Sequence, residues 1–514
     1  MRNSRSTTPG ERGRSAGLLL PVLLGAVFFL PSGCSDEKGT APPADATPPD
    51  AVTDLRAAAV TETTIVLAWT APGDDGAAGT AAAYDVRSST TLIDAAVWDG
   101  LDPLPQAPSP SPAGAAESLV VTGLDPNVTY YFALRTADDA ANASSLSNVL
   151  EQATRAGFMT FTLRADGTGD LPDLQSAVDA SQDGDVIELE DGVYRGDGNR
   201  DVQFFGRSIT VRAKSGLPDG CIIDCEGSKE APHRGFLFRS GEGPEAVLEA
   251  FTIINGFEST EPSIAEAHDL SGGGVKIQQS APTIRGLVIR RCHSEFTGGG
   301  ISVEIGSDPL VVDCVFSENS ASQQGGGVTV EIASSPVLRN CVITDNTAQI
   351  GGGIGITGGN SDPTIEDCLI AGNQAVFGGG IYIVGGAPAV SRCTIADNRA
   401  NQNGGGLFLV QSPLALFERT ILWGSCALGV GDGIFVDNLS TLRFDCCDVD
   451  SAGAGGSGSP EYETTIFTDP LFCDPGSCGS PGVDYGLEDG SPCLPDASPC
   501  GERIGVMPGG CGGR

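Results

Sequence analysis

The stretch GGGVTVEIASSPVLRNCVITDNTAQIGGGIGIT, residues 325–357, contains one complete unit of a repeat and the beginning of the next. The glycine triplet that opens this stretch returns at intervals of 26 or 27 residues. The triplets begin at Gly272, Gly298, Gly325, Gly351, Gly378 and Gly404. A period this regular indicates one structural unit stacked on copies of itself. The unit is too short for a propeller blade and lacks the pattern of a leucine-rich repeat.

Alternating apolar residues follow each triplet, and this alternation is the periodicity of a β-strand. In the quoted unit these residues are Val328, Val330 and Ile332. A turn with proline follows, then the pattern apolar-x-x-Cys-x-apolar, then an asparagine. Such a unit holds three short strands and their turns. The sequence therefore predicts an all-β fold in which a right-handed parallel β-helix places equivalent residues of successive coils about 4.8 Å apart.

Two recurring columns support the coil interpretation. Asn319, Asn346, Asn373 and Asn398 recur at a corner, where asparagine can adopt the left-handed conformation and hydrogen-bond to the next coil. Cys314, Cys341, Cys368 and Cys393 recur on an inner position. Side chains that are parallel and in register have poor disulfide torsion, so we expect buried thiols that act as small apolar groups.

The predicted β-helix covers residues 158–460 and begins with less regular coils. Leu174, Ala177 and Val178 mark a short amphipathic helix, which would cover the open strand edges of the first coil. An outward apolar stripe consists of Val288, Val315, Val342 and Leu369. We expect this stripe to dock a loop, the N-terminal domain or the C-terminal tail rather than a separate partner.

Residues 49–155 form a separate domain without cysteine, in which short alternating strands surround Trp69 and the segment Leu124–Tyr130. These residues resemble a fibronectin type III β-sandwich. The resemblance implies that Trp69 is the core aromatic residue and that Tyr130 is the tyrosine-corner residue, whose hydroxyl binds nearby backbone.

The segment ADGTGDLPDLQSAVDASQDGDVIELEDGVYRG, residues 165–196, resembles the entry of pectin-lyase-like and pectin-esterase-like β-helices. The triplet coils are similar to secreted right-handed parallel β-helix proteins. This resemblance implies a fold rather than an activity, because the superfamily includes lyases, hydrolases, esterases, epimerases and proteins without known catalysis. The catalytic motifs of the esterase, polygalacturonase and epimerase types have no equivalent in the sequence.

The N-terminus predicts a lipoprotein signal peptide over residues 1–33. Arginines precede an apolar run from Ala16 to Leu30, which suits a bacterial signal sequence better than a membrane span. Leu30-Pro-Ser-Gly-Cys34 resembles a lipobox, although Pro31 departs from the usual residue there. We expect lipidation at Cys34, a flexible tether over residues 34–48 and an extracytoplasmic protein anchored to the outer membrane. The alternative is ordinary signal cleavage nearby.

The formal net charge of −37 argues against nucleic acid and anionic membrane surfaces as partners. We expect a monomer. A polyanionic substrate would need Ca²⁺ or a basic groove, and the chain has few lysines. Asp197, Asn199 and Asp201 have the spacing of a Ca²⁺ loop, which makes Ca²⁺ a candidate cofactor.

The C-terminal tail, residues 461–514, is predicted to be rich in loops and stapled by disulfides, because an extracytoplasmic compartment is oxidising. The best local candidates are Cys473 with Cys478 and Cys493 with Cys500. A tail with little core of its own gains stability from such bridges.

The outward side chains of the strands after the triplets are the predicted functional site. One column reads Lys276, Ser302, Thr329, Gly355, Tyr382, Phe408, and the next reads Gln278, Glu304, Glu331, Thr357, Val384, Val410. Stacking would place Glu304 and Glu331 about 5 Å apart, a spacing that suits an acid/base pair or a Ca²⁺ site. Tyr382 and Phe408 could stack on sugar rings.

Three functions remain open at this point. Binding of polysaccharide or another cell-surface ligand through Lys276, Glu304, Glu331, Tyr382 and Phe408 is the preferred hypothesis. The alternatives are a polysaccharide lyase, hydrolase or esterase that uses Glu304 and Glu331, and a structural spacer without a ligand.

Overall fold

The computed structural model describes residues 45–155, 157–259, 271–450, 453–507 and 510–511. The chain divides into two compact units, with the division between residues 156 and 157. The predicted signal peptide, Cys34 and most of the predicted tether lie outside the described residues. Among the residues that are described, no helix has the length and apolar character needed to cross a membrane.

The N-terminal unit is a β-sandwich of two antiparallel three-stranded sheets. One sheet contains Arg56–Val60, Thr64–Thr70 and Ala116–Thr122, and the other contains Ala83–Ser89, Thr129–Ala137 and Leu150–Ala153. A 3₁₀ helix spans Trp98–Gly100. Trp69 is fully buried and meets the ring of Tyr84 edge-on, with centroids 5.2 Å apart. The Tyr130 hydroxyl accepts the backbone N–H of Asp125 at 3.0 Å, which confirms the predicted tyrosine corner.

The second unit is a parallel β-helix with three long sheets, and the prediction of an all-β fold is confirmed. The triplet sheet, which contains the strands that follow the glycine triplets, has ten strands: Val202–Gln203, Phe236–Phe238, Val275–Gln278, Ile301–Glu304, Val328–Glu331, Ile354–Thr357, Ile381–Val384, Leu407–Val410, Ile434–Val436 and Ala454–Gly456.

The second sheet of each coil follows the proline turn. Its twelve strands are Thr160–Leu163, Val186–Leu189, Thr210–Ala213, Val247–Glu249, Thr283–Arg285, Leu310–Val312, Val337–Arg339, Thr364–Glu366, Ala389–Ser391, Ala415–Glu418, Leu442–Asp445 and Glu461–Glu463. The last strand lies just beyond residue 460, the predicted end of the β-helix.

The third sheet closes the coil. Its ten strands are Gly192–Tyr194, Cys221–Asp224, Thr252–Ile254, Val288–Arg290, Val315–Ser317, Val342–Thr344, Leu369–Ala371, Thr394–Ala396, Ile421–Trp423 and Asp448–Val449. Two short corner sheets lead back to the triplets and contain Phe257–Glu258, His293–Ser294, Ser320–Ala321, and Gln374–Phe377, Arg399–Asn403, Cys426–Ala427.

The glycine triplets are explained by two different constraints. The first glycine has a positive φ, +63° at Gly351, which other residues adopt only with strain. The second glycine lies against the backbone of the next coil, because a Cβ added to Gly352 would lie 2.6 Å from the carbonyl oxygen of Gly379. A side chain is therefore excluded by backbone, which cannot move aside as a flexible side chain could.

The asparagine ladder forms as predicted, but the left-handed residue is not the asparagine. The Asn346 Oδ1 accepts the backbone N–H of Asn319 at 3.0 Å, and the same contact repeats between Asn373 and Asn346. Positive φ values occur one position earlier, at 57° for Glu318 and 56° for Asp345. The preceding residue makes the turn, and the asparagine side chain can then point inward to the next coil.

The inner cysteines are free thiols, as predicted. Cys314, Cys341, Cys368 and Cys393 are buried in the core of the β-helix, and none of the four is in a disulfide. The Cys368 thiol donates to the carbonyl oxygen of Glu366 at 3.2 Å. Burial and the neighbouring thiols raise the pKa of Cys368, so the neutral thiol is the stable form.

The predicted capping helix is confirmed and spans Leu174–Ala180. Its N-cap is Asp173, whose carboxylate accepts the backbone N–H of Ser176 at 2.8 Å. Leu174, Ala177 and Val178 are buried and join the core of the β-helix.

The C-terminal tail packs on the outside of the third sheet. A hairpin of Phe472–Asp474 and Asp484–Leu487 supplies part of this contact. A buried apolar cluster joins Leu369, Ala371, Ala396 and Ile421 of the third sheet to Phe472, Tyr485, Leu487 and Ile504 of the tail, with Val342 packed against its edge. The tail therefore covers part of the apolar stripe predicted from the sequence.

Both predicted disulfide pairings are wrong. The structure joins Cys426 to Cys478, Cys446 to Cys500 and Cys473 to Cys511, and Cys493 is a buried free thiol. The physical reason is that the tail folds back over the coils. Cys478 and Cys500 thus meet residues that lie 52 and 54 positions earlier in the chain.

Candidate functional site

The two predicted columns lie side by side on the outer face of the triplet sheet. Strand register aligns Lys276 with Ser302, Ser302 with Thr329, and Thr329 with Gly355. The column continues through Tyr382 and Phe408. We call this surface the triplet face. It has a polar half around Glu304 and Glu331 and an aromatic half around Tyr382.

Glu304 is buried and paired, whereas the sequence suggested two neighbouring outward carboxylates. The Lys276 ammonium lies 3.5 Å from Glu304 Oε2, and the two side chains are 1% and 11% exposed. The hydroxyls of Ser302, at 2.5 Å, and of Ser271 donate to Glu304 Oε1. Three donor groups therefore surround the carboxyl group of Glu304.

Glu331 has a different environment from Glu304. Its carboxylate is half-buried and accepts the Thr357 hydroxyl at 3.5 Å. The Gln324 amide donates to Thr357 Oγ1 at 3.1 Å and so fixes that hydroxyl. Burial, followed by the charge of Glu304, raises the pKa of Glu331 to about 7. Neighbouring carboxyl groups with such different environments can act as a proton donor and a charged partner.

We predict that Glu331 makes stability depend on pH. Its folded-state pKa lies above the ordinary value of 4.5, so the folded state favours the protonated acid. The stabilisation is complete below the ordinary pKa and is lost as the pH rises through about 7. Glu331→Gln should remove this slope, a difference of about 2 kcal/mol after allowance for partial exposure. Urea unfolding of the unmodified protein and of Glu331→Gln, from below pH 4.5 to above pH 7, measures this difference in the free energy of unfolding.

The matched control for this experiment is Glu318→Gln. Glu318 belongs to the preceding coil and is exposed at a corner away from the triplet face. This variant should keep the pH slope of the unmodified protein. Equal slopes in all three proteins would contradict the environment described for Glu331.

The aromatic half is a ladder of stacked rings. Tyr382 and Phe408 are stacked with centroids 5.2 Å apart, and Phe408 and Phe435 are stacked at 4.6 Å, each pair at 6° between planes. Phe377 meets Phe408 edge-on at 5.3 Å. Both faces of the Phe408 ring are therefore covered by neighbours, so the prediction that Phe408 stacks on a sugar ring is wrong. Tyr382 ends the ladder and is only half-buried.

Gly355 lies between the two halves. The Gln324 side chain occupies the place where a side chain at Gly355 would lie. Glycine is required here because the Gln324 amide must pass over this position to reach Thr357. Gln324 thus joins the polar half to the edge of the aromatic ladder.

Several members of the site were missed by the sequence reasoning. Ser271 and Gln324 lie in turns before the strands. The prediction compared only equivalent strand positions in successive repeats, so it did not include these turns. Phe435 follows Gly431-Asp-Gly433, where the glycine triplet is broken, so the count of triplets ended one coil too early. A search for alternating apolar residues after any Gly-x-Gly would have found it.

The predicted Ca²⁺ loop is not brought together. Asp197 pairs with Arg200 at 2.7 Å, and Asp201 binds the His233 ring at 2.6 Å. Asn199 is buried and its Oδ1 accepts the backbone N–H of Leu174. These side chains stabilise turns of the first coils. Within the described part of the chain, no group of three or more His, Cys, Asp or Glu residues is arranged to hold a metal ion.

Comparisons with known proteins agree with this architecture. The family described as right handed beta helix region matches residues 264–420, and the fibronectin type III domain family matches residues 50–152. The chain therefore contains a right-handed β-helix region with an N-terminal fibronectin type III domain. No curated protein matches the chain. The disulfides and the fibronectin type III domain indicate an extracellular protein.

Solved structures are similar in fold only. A family 28 exopolygalacturonase of Yersinia enterocolitica is 12% identical, covers 81% of this chain and 99% of its own, and has a TM-score of 0.25. Pectate lyase Pel3 of Pectobacterium carotovorum is 14% identical over 64% and 86%, with a TM-score of 0.16. The fibronectin type III domain of human fibronectin type III domain containing protein 3 is 14% identical over 22% and 92%, with a TM-score of 0.17. Likenesses this distant carry no argument about activity.

Proposed function

We propose that this is an extracytoplasmic protein that binds polysaccharide along the triplet face. The observation that carries the proposal is the combination on one regular surface of a half-buried carboxyl group at Glu331, the half-buried Thr357 hydroxyl and the ring of Tyr382. Carboxyl and hydroxyl groups hydrogen-bond sugar hydroxyls, and an aromatic side chain packs on the apolar side of a sugar. The coil repeat suits a polymer, because equivalent positions recur along the direction in which a glycan chain would lie.

The predicted lipobox at Cys34 belongs to this proposal. A lipid on Cys34 would anchor the chain to the outer membrane, and the fibronectin type III domain would separate the β-helix from the membrane surface. Mass spectrometry of the N-terminal peptide from the native host tests the anchor. A peptide that begins at an acylated Cys34 supports it, and an unmodified N-terminus elsewhere contradicts it.

Glycan binding is expected to depend on Tyr382. We expect Tyr382→Ala to weaken binding about tenfold, because one aromatic contact contributes about 1 kcal/mol or more. Affinity electrophoresis of the purified protein in gels that contain neutral, acidic or basic polysaccharides, with and without Ca²⁺, measures retention.

Tyr462→Ala is the matched control. Tyr462 also stacks in a ladder, on Phe444, but in the second sheet. Retention should be unchanged in this variant. Equal losses in both variants, or no retention on any polysaccharide, would contradict the proposed function and favour a structural spacer.

A second candidate function is cleavage of the bound glycan. The observation that favours it is the difference between Glu304, which contacts the Lys276 ammonium and two hydroxyls, and Glu331, whose pKa of about 7 lets it donate a proton near neutral pH. Reducing-end and ultraviolet assays for shortened or unsaturated products test this candidate. Products that disappear in Glu331→Gln would establish it, and retention without products would leave binding as the function.

A further inference from the structure

The triplet face and the turns on either side of it contain almost no basic residues. In the triplet coils these segments, begun at the same register position of each corner, cover residues 271–283, 293–310, 320–337, 347–364, 374–389 and 399–415. They contain one lysine, Lys276, and one arginine, Arg399, which lies at the corner beside Gly479 of the tail. The other arginines of the same coils lie on other sides, for example Arg285 and Arg339 in the second sheet.

The single lysine does not offer its charge to a ligand. Lys276 is 1% exposed, and its ammonium lies beside the carboxylate of Glu304. Acidic residues, in contrast, are present both on the face and at its border, as Glu331 and Asp308. The surface is therefore electrostatically suited to positive or neutral groups and repels a polyanion.

Among the residues that the structure describes, no cationic side chain forms an ion pair with Glu331, and the nearest ammonium group that acts on it is that of Lys276. The hydrogen-bond partner of Glu331 is the Thr357 hydroxyl at 3.5 Å, a long contact, and Lys276 pairs with Glu304. A half-buried carboxylate loses hydrogen bonds to water, and here the protein replaces few of them. A cationic group of the ligand would compensate for this loss by donating a charge-assisted hydrogen bond to the carboxylate.

We infer that the glycan bound on the triplet face carries ammonium groups, as a de-N-acetylated amino-sugar polymer does, and that Glu331 is the carboxylate that receives one of them. This inference rests on the proposed function. It adds the chemical class of the glycan and excludes polyuronates, which would place carboxylates against Glu331 and Glu304. The Tyr382 ring would then pack against the sugar ring, and the Glu331 carboxylate would distinguish an amine from its acetylated form.

The test uses the purified protein and three oligosaccharides of equal length, made of glucosamine, N-acetylglucosamine or galacturonic acid. Isothermal titration calorimetry is carried out just below neutral pH, with enough salt to screen long-range attraction. The glucosamine oligomer should bind about tenfold more tightly than the acetylated one, the gain expected of one partly buried charge pair. The galacturonic acid oligomer should bind most weakly.

Two variants separate the site from general attraction to an acidic protein. Glu331→Gln should abolish the preference for glucosamine, so that the glucosamine oligomer binds no more tightly than the acetylated one. Glu318→Gln, which removes the same charge from another side of the preceding coil, should retain the preference. An equal effect of the two variants would overturn the inference, because it would show non-specific attraction.

The remaining outcomes distinguish the inference from the function on which it rests. If the acetylated or the galacturonic acid oligomer binds as tightly as glucosamine, the inference is overturned and glycan binding stands. If none of these oligomers binds and the polysaccharide gels show no retention, both the inference and the proposed function fail.

Discussion

Replacing Asn346 by alanine is expected to lower the free energy of unfolding of the β-helix by about 4 kcal/mol. Asn346 is fully buried, and its side-chain amide forms hydrogen bonds with the preceding coil and with the following coil. Its Oδ1 accepts the backbone and side-chain N–H groups of Asn319 at 3.0 and 3.1 Å. Its Nδ2 donates to the carbonyl oxygen of Phe316 at 2.9 Å and to Asn373 Oδ1 at 3.0 Å. Alanine would leave these partners buried without a hydrogen bond.

Chemical denaturation of the variant and the unmodified protein measures this difference. Asn401→Ala is the control, because Asn401 is exposed on the corner sheet and its loss should change stability by less than about 0.5 kcal/mol. A loss below about 1 kcal/mol for Asn346→Ala would show that the ladder contributes no more than a surface side chain. The recurrence of buried asparagine at this corner would then need an explanation other than stability.

The coil architecture could be predicted because each repeat samples the same environment. Val328 and Ile354 occupy one position in two coils, and so do Asn346 and Asn373, so a misleading residue in one repeat is corrected by the others. The glycine triplets were also informative, since the close backbone approach at Gly352 excludes every side chain. The location of the left-handed residue was missed because Glu318 and Asp345 have no distinctive residue type.

The chemistry of the site could be predicted only in part. The columns placed Glu304 and Glu331 on one face, but not the burial of Glu304, which depends on donors from Lys276 and from Ser271 in the preceding turn. Stacking in register also implies that aromatic side chains cover each other. The orientation of those rings decides whether Phe408 can meet a ligand, and a sequence pattern contains no ring orientation.

The disulfides could not be predicted because they depend on the path of the tail. Cys473 and Cys478 are close in sequence, but the loop between the two tail strands turns onto the coils. Pro481 lies in the space left by the missing side chain of Gly372. Tyr485 donates its hydroxyl to Asp397 at 2.8 Å. These contacts form only after residues far apart in the chain have met.

The tail is expected to detach before the coils unfold once its two bridges to the β-helix are removed. Replacing Cys426, Cys446, Cys478 and Cys500 together by serine releases loops closed over 52 and 54 residues. Each bridge contributes about 4 kcal/mol in the loop-entropy description. Without the two bridges, the tail is attached to the β-helix by its apolar contact with Leu369 and Ile421 and by a few hydrogen bonds.

Limited proteolysis and binding of a hydrophobic dye measure the release. The four-serine variant should be cut within residues 468–507 at a protease concentration that leaves the unmodified protein intact, and it should bind the dye, because the apolar side of the third sheet becomes exposed. Replacing Cys473 and Cys511 by serine is the control, since that bridge lies within the tail and does not attach it to the coils. If the four-serine variant resists the protease as well as this control does, the apolar contacts and the Tyr485–Asp397 hydrogen bond suffice to hold the tail, and the bridges add only to its resistance to complete unfolding.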